Sequence, residues 1–277
     1  MGSLSVLYNI PALEAQDQLG LTQTALNSTL TALSSGQRIN TGADDPAGLA
    51  IANGLEANIT ALTQSVQNAT DGQGELQVAD GALSQITALL NNAISLATEA
   101  ANGTVSDTQR TALDSEFTSI KTEIDSIGGN TTYNGQAIFG GATTTIYMSD
   151  SSSAGINLVT VSFQTVSSSN LGTASISGDD LTSASNAQAA LLDINSAIQQ
   201  VAALRGSLGA QSIQLSSAIN VMNVQITNLT NAENAIMAAN MGTETSNLSK
   251  ESILQETGIA ALQQSNQLQQ TVLKLFQ

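Results

Sequence analysis

Two adjacent carboxylate pairs, Asp44-Asp45 and Asp179-Asp180, are the first residues in this chain that could do chemistry. Paired acids can share a proton in acid–base catalysis or offer oxygens to a hard cation. Neither pair has the spaced oxygen donors of a calcium loop, so both read as helix or turn starts. Gly72-Gln73-Gly74 is a fragment of a phosphate-loop pattern without the strand, third glycine or lysine that a phosphate cradle needs. The chain contains no His, Cys or Trp. Catalytic triads, Cys-His dyads, thiolate or imidazole metal sites, zinc-peptidase motifs and redox CxxC pairs are thereby excluded. No catalytic, cofactor-binding or metal-ligating residue is expected, and the chain reads as something other than an enzyme.

Composition narrows the partners. Six Lys+Arg against 22 Asp+Glu give a formal charge of -16, leaving almost nothing to contact phosphates. Nucleic acid and anionic membrane surfaces are disfavoured alike. No run of 18 apolar residues suggests a membrane span, and the N-terminus lacks the charge, apolar core and cleavage site of a secretory signal. The absence of cysteine fits both a reducing cytoplasm and a disulfide-free secreted protein. Only 3% of residues are aromatic and 10% charged, while the 41% hydrophobic fraction is mostly Ala, Leu, Ile and Val. Such a chain favours helices stacked side by side over a bulky globular interior.

The elements that would position any functional residue follow from periodicity. From Pro46 to Asn102, apolar residues step by three and four through Leu55, Ile59, Leu62, Val66, Ala69, Leu76, Ala79, Leu83, Ile86, Leu90, Ile94, Ala97 and Ala101. One helix of about 85 Å follows at 1.5 Å per residue. Asp44 and Asp45 before Pro46 mark its start, and Asn102-Gly103 its end. Ser106 and Gln109 form a capping box, after which Leu113, Phe117, Ile120, Ile124 and Ile127 carry a second helix to Gly128-Gly129. Residues 130–183 turn to Ser, Thr and Gly, with a hairpin signal at Asn134-Gly135 and alternation at Val159, Val161 and Phe163, which predicts a small β region. From Leu191 the ladder resumes through Ile194, Ile198, Val201, Leu208, Leu215, Ile219, Met222, Ile226, Leu229 and Ile236, interrupted by Arg205, Ser212 and Glu233. A helix of more than about 40 residues is predicted there.

If the two long helices run antiparallel, with Pro46 opposite Ala239 and Asn102 opposite residue 183, facing positions should have numbers summing to about 285. Arg205 then falls beside Asp80, which interrupts the first ladder between Leu76 and Leu83. A partly buried ion pair fixing register is one reading. Arg205 reaching solvent or a neighbouring subunit is the other.

The two ends differ again. Ala12, Leu19, Leu26 and Leu33 recur every seven residues, as do Leu254, Ala261, Leu268 and Leu275, in surroundings of Gln, Asn, Ser and Thr. A helix with one apolar stripe and so little charge needs a partner, so the ends are expected to meet each other or other subunits. The fold class expected is mainly α: an elongated antiparallel bundle of long helices with a small β insert and terminal coiled-coil-like helices. Seven Asn-x-Ser/Thr sequons, at Asn27, Asn58, Asn68, Asn102, Asn130, Asn228 and Asn247, are chance matches in an Asn/Ser/Thr-rich chain. Ser151, Ser152, Ser153, Ser167, Ser168 and Ser169 are candidate exposed O-glycosylation sites.

Several motifs resemble one family. Leu33-Ser-Ser-Gly-Gln-Arg-Ile-Asn40 and Asp44-Asp45-Pro46-Ala47-Gly48-Leu49-Ala50-Ile51-Ala52 are similar to the LSSGxRIN and DDxAGxAIA signature of bacterial flagellins. Gln67–Gly72, Gly81–Leu83, Ala100–Thr104 and Tyr133–Gln136 follow in family order. Arg205–Ala210, Ile253–Gln255 and Val272–Leu275 resemble the C-terminal half. The resemblance covers nearly the whole chain. It implies a secreted subunit, found extracellularly in the bacterial flagellum, that polymerises into an open, hollow helical homopolymer serving swimming motility. It implies that residues 1–43 and 243–277 form an inner, channel-lining domain, that 44–139 and 184–242 form a helical rod domain, and that 140–183 are a short variable β region.

Further partners implied by the resemblance are the flagellar export apparatus, an export chaperone, the filament cap and the hook-junction proteins. Insertion into a membrane is not. A hook-filament junction protein shares similar ends, but the match through Asn134 and the slim insert favour flagellin. A signalling helical hairpin would not need bare apolar ends. Two departures stand out. Asn91-Asn92-Ala93-Ile94-Ser95 replaces the Gln-Arg-x-Arg-Glu segment that an innate immune receptor reads, with Asn92 and Ser95 in charged positions, which implies poor stimulation of that receptor. Ala238 and Asn240 replace common acidic residues.

Overall fold

The computed structural model describes residues 9–141, 143–149 and 158–275. Its helices are α1 (Ile10–Ser35), α2 (Pro46–Ala100), α3 (Asp107–Asn130), α4 (Ala184–Met237) and α5 (Met241–Leu275). Between α3 and α4 lie β1 (Thr132–Tyr133), β2 (Gln136–Ala137), β3 (Thr143–Tyr147), β4 (Leu158–Ser162) and a 3-10 turn at Ile176–Gly178. Packing divides the chain into two compact units, one spanning residues 58–227 and the other joining residues up to 57 with those from 228 onward. The sequence-based boundary at 43 falls between α1 and α2, and that at 243 falls just inside α5.

In the unit spanning 58–227, α2 buries two interleaved sets of residues spaced by seven. Leu62, Ala69, Leu76, Leu83, Leu90 and Ala97 form one; Ser65, Gly72, Ala79, Ile86, Ala93 and Ala100 form the other. This is a strict 3.5-residue repeat, the pattern that keeps one seam turned toward its partners. It explains a small departure from the expected ladder: Ala93 and Ala100 are fully buried, whereas Ile94 and Ala101 lie only partly covered. On α4 the same heptad carries Ala187, Ile194, Val201, Leu208, Leu215 and Met222. From α3 come Phe117, Ile120 and Ile124.

Capping chemistry fixes the turns. Asp45 Oδ1 accepts the Gly48 N–H at 2.9 Å, with Pro46 opening α2 where no donor is needed. At the far end Arg110, 8% exposed, donates from Nε to Ala100 O at 2.8 Å and from Nη2 to Asn102 O at 3.0 Å. A cation on the last carbonyls complements the helix dipole and closes the α2–α3 connection. The Ser106–Gln109 capping box is formed as expected.

Asn134 and Gly135 both adopt positive φ, at 49° and 77°, in the turn that joins β1 to β2. Strands β3 and β4 pair antiparallel and turn Ile146, Val159 and Val161 inward. Glycines on the helices make room for this insert. A methyl group at Gly72 would collide with the Ile146 side chain, and one at Gly128 with the Val166 carbonyl.

The other unit is built on α1 and α5, which pack side by side and antiparallel. Small residues permit the approach: a Cβ at Gly258 would lie 3.0 Å from Leu19 Cδ1. Gly36, in the left-handed conformation at φ 71°, ends α1.

Candidate assembly surfaces

The α1–α5 seam mixes apolar side chains with buried or half-buried polar ones. Residues Ala12, Ala15, Leu19, Thr22, Leu26, Thr29, Ala32 and Leu33 of α1 face it, buried or half-buried. Opposite them α5 contributes Ser252, Gln255, Gly258, Leu262, Ser265 and Gln269. Gln255 Nε2 donates to Gln23 Oε1 at 2.7 Å, and Ser265 Oγ donates to Asn9 Oδ1 at 2.8 Å.

The apolar stripe of α5 points elsewhere. Leu254 is 44% and Leu268 58% exposed, and Ala261 is exposed too. Leu275 closes the helix, its side chain outside the described atoms. The expected heptad stripe of α1 thus finds α5, while Leu254, Ala261 and Leu268 of the α5 stripe stay exposed. Ile253, Ile259, Ile10, Leu13, Leu21 and Leu30 are exposed as well. The seam thus mixes Leu19, Leu26, Leu33 and Leu262 with amides and hydroxyls, while further leucines and isoleucines stay on the surface of the pair. Burying such a surface stabilises by about 25 cal/mol per Å² once a neighbour covers it.

In the unit spanning 58–227, α4 exposes a second apolar face. Ile213, Val221 and Val224 lie within about one stripe at helical spacing, and Leu192 is 74% exposed farther along α4.

The structure brings Asp80 and Arg205 together. Arg205 Nε donates to Asp80 Oδ1 at 2.7 Å and Nη2 to Oδ2 at 3.2 Å, a two-pronged contact. Their side chains are 47% and 38% exposed, so the pair sits at the edge of the core. The hydrogen bond from Arg205 holds the Asp80 carboxyl below the usual carboxylate range, and Arg205 is raised in turn. The positions near which Gly72 meets Leu215 sum to 287, the same antiparallel register.

Both acid pairs work at turns. Asp44 Oδ2 accepts from the Thr41 and Asn40 N–H groups, which lower its pKa, and Asp180 is lowered chiefly by the Thr182 hydroxyl. Burial and the nearby Asp193 charge raise Asp179. Among the described residues no group of three or more acids could hold a metal ion. Ser167 and Ser169 are half-buried and exposed, but the expected exposure fails at Ser168. It is 4% exposed, because Asp125 receives both its N–H at 2.6 Å and its hydroxyl at 2.8 Å. Ser151, Ser152 and Ser153 lie outside the described residues. Asn92 and Ser95 sit exposed on α2. A groove of about 300 Å³ between Phe139, Phe163 and Leu204 is lined by amides, serine hydroxyls and apolar groups, with no ionisable side chain.

Comparison with known proteins decides what these surfaces belong to. Residues 6–144 match the family model "Bacterial flagellin N-terminal helical region", and residues 191–276 match "Bacterial flagellin C-terminal helical region". The chain belongs to the bacterial flagellin family. A flagellin of Halalkalibacterium halodurans is 32% identical over 97% of this chain and 98% of its own length. Among solved structures, Bacillus cereus flagellin is 28% identical, covers 60% of this chain and 94% of its own, and superposes with a TM-score of 0.50. A flagellar hook-associated protein from Vibrio parahaemolyticus reaches a TM-score of 0.59 over 70% of this chain and 100% of its own. At 14% identity it shares the fold alone. This flagellin is therefore a structural subunit of the flagellar filament and not an enzyme.

Sequence reasoning missed the second row of the α1 seam, because Thr22 and Thr29 are buried there without an apolar signature. It also missed the exposed face of α4, whose residues Ile219 and Val221 straddle the border between core and surface.

Proposed function

We propose that this flagellin joins its filament through the outward faces of α1 and α5, including Leu254, Ala261 and Leu268, with the exposed stripe of α4 supplying further contacts between copies. The observation that carries this reading is the outward face of the α1–α5 pair, where Leu13, Leu21, Ile253, Leu254, Ile259 and Leu268 are exposed in the subunit. Identical copies meeting through unlike patches generate an open helical polymer, here a hollow one that serves swimming motility. The terminal helices line its channel as the inner domain (1–43 and 243–277), the long helices form the rod (44–139 and 184–242), and 140–183 form the variable part. The chain reaches the cell exterior through the flagellar export apparatus with an export chaperone, and meets the filament cap and hook-junction proteins. The resemblance to flagellins is what supports these partners.

The test replaces Leu254 and Leu268 with Ser in the full chain and follows seeded polymerisation by sedimentation. Loss of pelletable filament with unchanged helical content is expected. Filaments growing at the normal rate would overturn the assignment of this face.

A further inference from the structure

The α1 stripe repeats every seven residues, and of its seam partners on α5 only Leu262 is a large apolar side chain, the others being Ser252, Gln255, Gly258, Ser265 and Gln269. Sliding one helix by seven residues would put similar residues back in place. Seam packing therefore specifies register weakly, the usual problem of a regular heptad with few large knobs. Yet the pair keeps one register along its length. Leu19 lies against Gly258, Gln23 against Gln255, and Asn9 against Ser265.

Where the two chain segments leave these helices, they are laced together. Gln37 and Ala238 form an antiparallel bridge. Arg38 N–H donates to Met237 O at 2.6 Å, and Ala239 N–H donates to Gly36 O at 2.9 Å. Arg38 Nη2 also donates to Ile236 O at 2.8 Å, placing a cation on the final carbonyls of α4. Each side is braced locally. Ser35 Oγ accepts the Gln37 N–H, Asn40 Nδ2 donates to Gln37 O, and Asn240 Oδ1 accepts the N–H groups of Gly242 and Thr243 at the start of α5. Ile39, 2% exposed, anchors the same turn.

We propose that this clamp, residues 36–38 against 236–239, sets the register of α1 against α5. A ladder of backbone hydrogen bonds has no seven-residue ambiguity, since a slip breaks every bond in it at once. The few residues between the clamp and each helix leave no slack for a heptad slide of about 10 Å. The clamp thus excludes the slipped pairings that the seam itself would tolerate, and the proposal does not depend on which surface contacts neighbouring copies.

The chain has no cysteine, so engineered pairs report register without background. Gln23→Cys with Gln255→Cys reads the native register, and Gln16→Cys with Gln255→Cys reads a slip of one heptad. Each pair is placed in the full chain, alone or with Ala239→Pro, which removes one ladder donor, or with Arg38→Ala. Intramolecular disulfide is quantified on non-reducing gels. Expected is a severalfold loss of the native cross-link in the clamp variants, a matching rise of the slipped one, and recovery of the native pattern with Arg38→Lys. Unchanged native cross-linking would overturn the proposal. So would loss of the native cross-link without gain of the slipped one, since the clamp would then hold the helices together without choosing their register.

Discussion

The Asp80–Arg205 contact lies in the unit spanning 58–227, and its contribution to stability is measurable. Its geometry is strong, with two parallel hydrogen bonds at 2.7 and 3.2 Å, but its side chains are 47% and 38% exposed. A deeply buried pair broken from one side would cost about 3–5 kcal/mol. An exposed pair is worth about 0.2–1 kcal/mol. Half exposure weakens the Coulomb attraction through solvent screening, while the two-pronged geometry recovers part of it. We expect a coupling energy of about 1 kcal/mol from a double-mutant cycle of Asp80→Ala, Arg205→Ala and both together, read by urea unfolding of the monomer. The sign of its pH dependence follows from the lowered Asp80 pKa. The contribution is complete above the unfolded carboxylate value near 3.8 and is lost as pH falls through the lower, folded one. Arg205, its pKa raised further by the Asp80 hydrogen bond, stays charged and adds nothing in the working range. Strictly additive single losses at neutral pH, or losses of about 3 kcal/mol or more from either side, would refute this reasoning.

Removing residues 254–277 should leave the unit spanning 58–227 helical by circular dichroism yet abolish seeded polymerisation; pelletable filaments would count against it. Gly128→Ala should lower the midpoint of urea unfolding. The added methyl meets the Val166 carbonyl, an overpacking cost of about 1–3 kcal/mol that the gain of about 1 kcal/mol in helix propensity only partly offsets. Amide exchange before residue 34 and after residue 245 should be fast in monomer and slow in filament, because the partly polar α1–α5 seam protects weakly alone; equal protection in both states would contradict this. Asn92 and Ser95 carry no charge and cannot form the two-pronged ion pairs open to charged side chains at these positions, so a reporter-cell titration should show weak activation of the flagellin-sensing immune receptor, whereas ordinary flagellin potency would exclude the idea.

The long helices were legible because α2 and α4 carry large aliphatic side chains at unbroken three-four spacing, and Pro46 and the Ser106–Gln109 box mark their turns. The Asp80–Arg205 contact was legible too, since equal rise in two antiparallel helices turns residue numbers into a ruler. The terminal seam was only half legible. Thr22 and Thr29 are buried there without an apolar signature, and the stripe of Leu254 and Leu268 gave no sign of whether it faced α1 or the outside. Ser168 looked like any serine in a loop, because its burial depends on Asp125, 43 residues away. The clamp from Gly36 to Ala239 was invisible for the same reason: it is made of backbone groups brought together by the fold.

The most direct test of the account is electron cryo-microscopy of filaments grown from the full chain. The account predicts an open helical homopolymer in which Leu254 and Leu268 are buried against neighbouring subunits. Failure to form filaments, or filaments in which this face of α5 remains in water, would contradict it.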